Sequence, residues 1–145
     1  MELMQRIAGN RVYLDTNLFI YALEGFPQYA DRISKLFAAI DRGVLSAVTS
    51  ELTLAESLVK PFMDNDLHRQ TLYQEVIQHS EILAVAPVSR DILIEAARLR
   101  SISSLRLPDA IHLATALAAG CTSFVTNDKK ISAVSGIGIV RLDEP

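Results

Sequence analysis

The chain has little of the residue types that mark disulfide-stapled or membrane proteins. Its 145 residues include one cysteine, Cys121, and no tryptophan, which excludes an internal disulfide framework and a cysteine-based zinc site. No apolar run approaches the roughly 20 residues of a membrane-spanning helix. Residues 1–6 lack the basic start and apolar stretch of a secretory signal peptide. We therefore expect a protein without a membrane segment that works in the cytoplasm, a reducing compartment.

An excess of basic charge is also missing. The 14 Lys and Arg residues are outnumbered by 17 Asp and Glu, so the formal net charge is −3. This balance argues against binding nucleic acid through a broad basic surface. Only 6 glycines and 5 prolines occur, and they lie between patterned segments rather than in a linker. A single domain over residues 1–145 is expected, because a chain of this length can bury a sufficient core without covalent staples.

The sequence does contain short apolar runs that alternate with helical patterns. Strands are predicted at 11–14, 44–48, 82–85, 122–126 and 138–142. Helices are predicted at 16–23, 29–42, 50–60, 66–78, 89–100 and between Pro108 and Gly120, with Pro61 kinking or stopping the third of them. This alternation predicts an α/β fold, a three-layer α/β/α sandwich around a mostly parallel, roughly five-stranded sheet.

Acidic residues follow two of these strands directly. Asp15 comes after the first strand, and Asp128 lies two residues beyond Thr126, where the fourth strand ends. Open parallel sheets bind ligands outside the carboxyl ends of their strands. Both acids are therefore candidates for a functional site, although each has a structural alternative. Asp15 or Asn17 could cap the following helix, and Asp128 could form an Asx-type turn.

Two further acids lie on helices. Glu56 borders the apolar face of its helix, where an unpaired carboxylate is costly. Its alternatives are a capping box with Thr53 and a surface pair with Lys60. Asp109, in the first turn of its helix, could simply complement the helix dipole. His112 lies three residues later on the same face. The favoured interpretation is that it is a hydrogen-bonded structural side chain rather than a metal ligand.

The four acids are more informative together than singly. Three or four convergent carboxylates repel one another, and a fold retains them when a cation neutralises the charge. All-oxygen ligand sets suit hard divalent ions such as Mg²⁺ or Mn²⁺, which also bind substrate phosphates. Such an ion activates water and stabilises charge on a phosphoryl group.

At this point the sequence resembles the PIN-domain ribonucleases, and most of all the toxins of VapBC-type toxin–antitoxin pairs. The resemblance rests on residues 12–17, 49–56, 107–112 and 126–128, and it covers nearly the whole chain. It implies metal-centred acids at Asp15, Glu56, Asp109 and Asp128, holding one or two Mg²⁺ or Mn²⁺ ions. Supporting polar groups are implied at Asn17 and Thr126.

The same resemblance implies an endoribonuclease that hydrolyses RNA phosphodiester bonds, with an α/β/α fold. It also implies a homodimer and a cognate antitoxin that covers the site. The helices at 17–23 and 29–40 carry aromatic residues that suit a partner surface: Phe19, Tyr21, Phe26 and Phe37. Scattered basic residues lie near the acids in the sequence: Arg106, Lys129 and Lys130. They could contact the RNA, or they could simply balance the charge of the neighbouring acids.

Two other functions compete. A haloacid-dehalogenase-type phosphatase also begins with a strand that ends in Asp, but it needs a second Asp two residues later, and Asn17 occupies that position. A catalytically inactive PIN-like module for binding protein or RNA is the stronger alternative, although degenerate members should lose an acid and none is lost here.

With bound divalent ions offsetting the net charge, RNA binding should depend on the metal more than on protein charge.

Overall fold

A five-stranded, fully parallel sheet organises the chain in the computed structural model, which describes residues 2–131 and 134–143. The strands lie in the order β3-β2-β1-β4-β5. Their bounds are β1 Arg11–Leu14, β2 Ser46–Ser50, β3 Leu83–Ala86, β4 Ser123–Thr126 and β5 Gly138–Arg141. The helices are α1 Leu3–Arg6, α2 Thr16–Glu24, α3 Ala30–Asp41, α4 Glu51–Met63, α5 Leu67–Val76, α6 Arg90–Ser101 and α7 Leu107–Ala118, with a 3₁₀ turn at Pro27–Tyr29.

Helices cover both faces of the sheet, as the alternation of strands and helices predicts. Side chains alternate along β1, so that Val12 and Leu14 point to one core and Tyr13 to the other. The first core is completed by residues of α2, α3 and α5, and the second by residues of α6 and α7. The expected α/β/α sandwich is therefore confirmed, with both faces of the central strands buried.

The second strand begins two residues later than the sequence pattern predicts. The backbone N–H groups of Val44 and Leu45 both donate to the carbonyl oxygen of Ala39, at 2.9 and 3.2 Å. These two residues thus complete the C-terminus of α3 before the chain joins the sheet. Val44 is more than half exposed, so its apolar side chain misled the prediction of a strand start.

Pro61 does not stop α4, which continues to Met63. A proline inside a helix removes one N–H donor, but the Pro61 ring is buried. Its carbonyl oxygen accepts a hydrogen bond from the Asp66 N–H at 2.9 Å, in the turn before α5. Packing and this turn therefore hold the last part of the helix in place. Across the described residues, no helix is long and apolar enough to cross a membrane.

The strand order contains a point where the chain changes its direction of travel across the sheet. From β1 the chain moves outward to β2 and β3, and it then crosses back to β4 and β5 on the other side of β1. β1 and β4 pair in parallel, with Leu14 opposite Val125. A crevice between the carboxyl ends of β1 and β4 is the expected ligand position in such a sheet.

Candidate metal centre

Asp15 lies at the carboxyl end of β1, where the chain turns into α2. Its backbone N–H donates to the Val125 carbonyl of β4 at 3.0 Å. Its Oδ1 accepts from the Thr16 N–H at 2.8 Å, so Asp15 caps α2. The capping alternative is confirmed, but it uses only one of the two carboxylate oxygens. The side chain is almost fully buried, and a buried carboxylate requires compensation by hydrogen bonds or a cation.

The second oxygen of Asp15 is held by the two predicted supporting residues. Thr126 Oγ1, at the end of β4, donates to Asp15 Oδ2 at 2.6 Å. Asn17 Nδ2 lies 3.5 Å from the same oxygen and 3.4 Å from Thr126 Oγ1, while Asn17 Oδ1 accepts from the Asn127 N–H at 3.1 Å. Asn17 and Thr126 therefore lie beside Asp15. Their hydrogen bonds connect the end of β1 to the end of β4.

Asp109 lies in the first turn of α7, where Pro108 precedes it and Arg106 stands three residues before it. Arg106 Nε lies 3.4 Å from Asp109 Oδ2. Burial raises the pKa of Asp109, and the negative charges of Asp128 and Asp15 raise it further, against the opposing effect of Arg106. Charge from three carboxylates therefore converges near the start of α7.

Asp128 follows β4 and forms the Asx-type turn that was its structural alternative in the sequence analysis. Its Oδ1 accepts from the Lys130 N–H at 2.9 Å, and its own N–H donates to Thr126 Oγ1 at 3.0 Å. Its side chain is half-buried. Thr126 is therefore bonded to both Asp15 and Asp128, and Asp128 is close enough to Asp109 for its charge to act on that carboxyl.

Glu56 lies on α4, and its hydrogen-bond partners are Thr16 of α2 and His112 of α7 rather than Lys60 of its own helix. Its Oε1 accepts from Thr16 Oγ1 at 2.7 Å and lies 2.6 Å from His112 Nε2. Burial would raise its pKa, but the bonds from His112 and Thr16 outweigh this and lower the pKa. The alternative pair with Lys60 is wrong, because Lys60 bonds Asp64 at 2.9 Å.

His112 is fully buried and hydrogen-bonded, as the sequence interpretation holds, but its partners belong to the candidate site. Besides Glu56, its ring contacts Tyr13 Oη through Nδ1 at 2.6 Å, and Nε2 lies 3.9 Å from Asp15 Oδ1. Sequence reasoning did not identify the roles of Tyr13 and Thr16. The available signal was that a tyrosine on a fully buried strand needs a polar partner.

The donor set has the chemistry that a hard divalent ion prefers, although the side chains do not form a ready-made site. Within residues 2–131 and 134–143, no group of three or more His, Cys, Asp or Glu side chains has the arrangement needed to hold a metal ion. Burial nevertheless raises the pKa of Asp109, and the negative charges of Asp128 and Asp15 add to that rise. A cation bound by oxygen would relieve the repulsion between these charges.

The scattered cations expected at the site have different surroundings. Arg106 is beside Asp109, with most of its side chain in solvent. Lys129 is exposed and lies 3.9 Å from Asp143.

Of the aromatic residues expected at a partner surface, Phe19 is instead in the core, and Tyr21, Phe26 and Phe37 are half-buried.

Comparison with known families and structures agrees with this architecture. The model of the family described as PIN domain matches residues 12–137. A search of curated protein sequences found no match.

Several solved structures share the fold. A toxin–antitoxin complex from Klebsiella pneumoniae contains a chain with a TM-score of 0.68 and 24% identity, covering 92% of this chain and 99% of that one. A chain of VapBC2 from Rickettsia felis, bound to a promoter DNA fragment, has a TM-score of 0.69 and 16% identity, with coverage of 90% and 98%. VapC20 of Mycobacterium tuberculosis, described as a toxin that cleaves the sarcin–ricin loop, has a TM-score of 0.62 and 15% identity, with coverage of 78% and 86%.

Proposed function

The chain belongs to the PIN domain family, and from this premise we propose that it is an endoribonuclease that depends on Mg²⁺ or Mn²⁺ and serves as the toxin of a toxin–antitoxin pair. One observation carries the proposal. Three carboxylates meet at the carboxyl end of the sheet: the Thr126 hydroxyl bonds both Asp15 Oδ2 and the Asp128 N–H, and Asp109 on α7 is close enough for both charges to act on it. Carboxylates grouped in this way are the usual ligands of a divalent ion that binds phosphate.

In this proposal Asp15 and Asp109 hold the ion directly, while Glu56 and Asp128 bind it or orient water. One or two ions would activate the attacking water and stabilise the leaving oxygen of the phosphodiester. Thr126 and Asn17 fix the orientation of the Asp15 carboxylate through Oδ2. The burial of Asp15 and Asp109 excludes competing water, which strengthens their attraction for a cation.

Binding of RNA would use few protein cations. Arg106 lies beside Asp109 with its guanidinium largely in solvent, where it can contact a phosphate next to the scissile one. Lys129 and Lys130 follow Asp128 and are exposed. Because these charges are few, the bound ion itself would supply much of the attraction for the RNA backbone.

Cleavage of RNA by the purified protein tests this function. We expect cleavage with Mn²⁺ or Mg²⁺, none with chelator, and a loss of at least about 100-fold in the Asp15→Asn variant, as when one group that stabilises transition-state charge is removed. Asp31→Asn is the matched control, because Asp31 is exposed on α3 and pairs with Lys35. Cleavage that persists unchanged in Asp15→Asn would come from a contaminating nuclease and would contradict the proposal.

The partners belong to the same proposal. The structural neighbours from Klebsiella pneumoniae and Rickettsia felis are toxin–antitoxin assemblies, which supports a cognate antitoxin here, and a homodimer is part of the same proposal. Large apolar side chains at the junction of α4 and α5 are exposed and available to a partner: Val59, Phe62, Met63 and Leu67. Sedimentation should give a dimer at micromolar concentration, and a small open reading frame immediately upstream of the gene should encode the antitoxin.

A catalytically inactive interaction module is the second candidate, and one observation favours it. The described side chains do not form a group of three that is ready to hold an ion. Calorimetric titration with Mn²⁺ separates the two candidates. Binding that is lost in Asp15→Asn supports the nuclease, whereas absence of binding by the parent protein supports the module.

A further inference from the structure

A chain of short contacts connects the core of the protein to Glu56. Tyr13 Oη lies 2.6 Å from His112 Nδ1, and His112 Nε2 lies 2.6 Å from Glu56 Oε1. Tyr13 and His112 are both at most 1% exposed. The chain crosses from β1 through α7 to α4 and thus links the elements that carry Asp15, Asp109 and Glu56.

The hydroxyl groups around Tyr13 indicate which way its proton points. Thr49 Oγ1 donates to the Leu14 carbonyl at 2.9 Å and lies 2.7 Å from Thr53 Oγ1. Burial raises the pKa of Tyr13, and hydrogen bonds with the Thr49, Thr53 and Ser50 hydroxyls oppose this rise, as donors to a phenol oxygen do. The close acceptor for the proton of Tyr13 is His112 Nδ1, 2.6 Å from the hydroxyl oxygen.

A proton donated by Tyr13 to Nδ1 has a consequence at the other end of the ring. A neutral imidazole carries one N–H, so His112 then presents Nε2–H to Glu56. Oε1 of Glu56 receives two donors, His112 and Thr16. Among the described residues no donor contacts Oε2, and the Glu56 side chain is 35% exposed. One oxygen is fixed and the other is free for an ion or a water.

We propose that Tyr13 and His112 are positioning residues for Glu56, with Tyr13 holding His112 as the Nε2–H tautomer so that Glu56 presents Oε2 to the candidate metal centre. This inference deepens the proposed nuclease function and rests on it. Hydrogen bonds of this kind, made to a group that contacts an ion, orient that group and affect metal affinity and activity.

Packing alone does not account for a tyrosine at this position. The ring of Tyr13 stacks on Phe124 with centroids 5.0 Å apart and an interplanar angle of 12°. A phenylalanine would keep this stacking and would need no polar partner. The hydroxyl adds the 2.6 Å contact with His112, and His112 in turn contacts two of the candidate acids, Glu56 and Asp15.

The tautomer of His112 can be measured directly. Long-range ¹H–¹⁵N spectra of the parent protein should show His112 as the neutral Nε2–H tautomer, with the signal assigned by its loss in His112→Gln. In Tyr13→Phe, the tautomer should no longer be uniform. An Nδ1–H tautomer, or a doubly protonated ring, in the parent protein would overturn the proposal.

A second measurement separates positioning from ordinary stabilisation of the fold. Tyr73→Phe is the matched control, because Tyr73 is equally buried and its hydroxyl donates to Glu24 Oε2 at 2.6 Å. Relative to this control, Tyr13→Phe should weaken Mn²⁺ binding about tenfold and lower the kcat for RNA cleavage by a similar factor, with KM unchanged. His112→Gln keeps a donor for Glu56 and should retain more Mn²⁺ affinity than His112→Leu.

The outcomes distinguish the two proposals. Equal Mn²⁺ affinity and equal kcat in Tyr13→Phe and Tyr73→Phe would reject positioning while leaving the nuclease function intact. A parent protein that binds Mn²⁺ but cuts no RNA would reject the nuclease function. Positioning would then be judged from the tautomer and the Mn²⁺ affinities alone.

Discussion

At the scale of single residues, Thr126 does more than end a strand. Its buried hydroxyl donates to Asp15 Oδ2 at 2.6 Å and accepts from the Asp128 N–H at 3.0 Å. One small side chain thus sets the orientation of one acid and the backbone of another. A valine has nearly the same shape but would leave the Asp15 carboxylate short of a donor.

Thr126→Val should therefore reduce both stability and RNA cleavage. An unsatisfied buried partner costs about 1–3 kcal/mol in the free energy of unfolding, which urea denaturation would measure. Thr115→Val is the matched control: Thr115 is equally buried on α7, but its hydroxyl donates to the Ile111 carbonyl, which the helix already uses. Equal losses of stability and activity in the two variants would contradict this role of Thr126.

The sequence was most informative for residues whose chemistry depends on charge. Asp15, Asp128 and Thr126 could be placed because the carboxyl ends of parallel strands meet at one edge of a sheet. The contact of His112 with Tyr13 and Glu56 could not be predicted, because it joins three elements whose relative positions depend on packing. A buried histidine is ordinary in a core, and only its neighbours reveal its role.

At the scale of elements, strands and helices were predictable where apolar periodicity is strong, and their ends were less so. β1 has the predicted bounds, whereas β2 is shifted because Val44 and Leu45 complete α3 through the Ala39 carbonyl. α1 was not predicted, since its four residues are too few for a periodic signal. Tertiary packing also overrides the helix-breaking tendency of Pro61.

The turn into β1 provides a test at this scale. Gly9 and Gly25 both have positive φ, 71° and 68°, so alanine is strained at either position. A Cβ at Gly9 would also come within 2.5 Å of Thr122 Oγ1, whereas a Cβ at Gly25 meets nothing within 4 Å. Thr122 resists displacement because its hydroxyl donates to the Ala8 carbonyl at 2.6 Å.

Gly9→Ala should consequently destabilise the protein more than Gly25→Ala. The strain common to both costs about 1 kcal/mol, and the contact with Thr122 adds to it only at Gly9. Thermal or urea unfolding of the two variants measures the difference. Equal destabilisation would mean that Thr122 yields without loss, so the close approach does not fix the start of β1.

At the scale of the whole molecule, the net charge of −3 acquires a specific meaning. Part of the acidic excess lies at one end of the sheet, where burial raises the pKa of Asp109 and the charges of Asp128 and Asp15 raise it further, against the opposing charge of Arg106. The folded protein therefore keeps a local repulsion that a cation would remove. Fold stability and metal binding should be linked through this end of the sheet.

Mn²⁺ should accordingly stabilise the folded protein. A ligand at 100 times its Kd contributes about 2.7 kcal/mol when it binds only the native state, which a thermal shift assay detects. Asp15→Asn should show little of this effect, while Asp31→Asn should show all of it. The same shift in Asp15→Asn and in the parent protein would place the ion elsewhere on the molecule.

The pairing of β1 with β4 also fixes when the proposed site can exist during synthesis. Asp15 and Thr126 are in contact although 111 positions separate them in the chain. The ribosome releases the N-terminal part first, so a growing chain carries Asp15 long before β4 is available to meet it. A protein truncated before Thr126 would lack the hydroxyl that holds Asp15. Synthesis must therefore proceed through 111 further residues after Asp15 before the proposed metal centre can form.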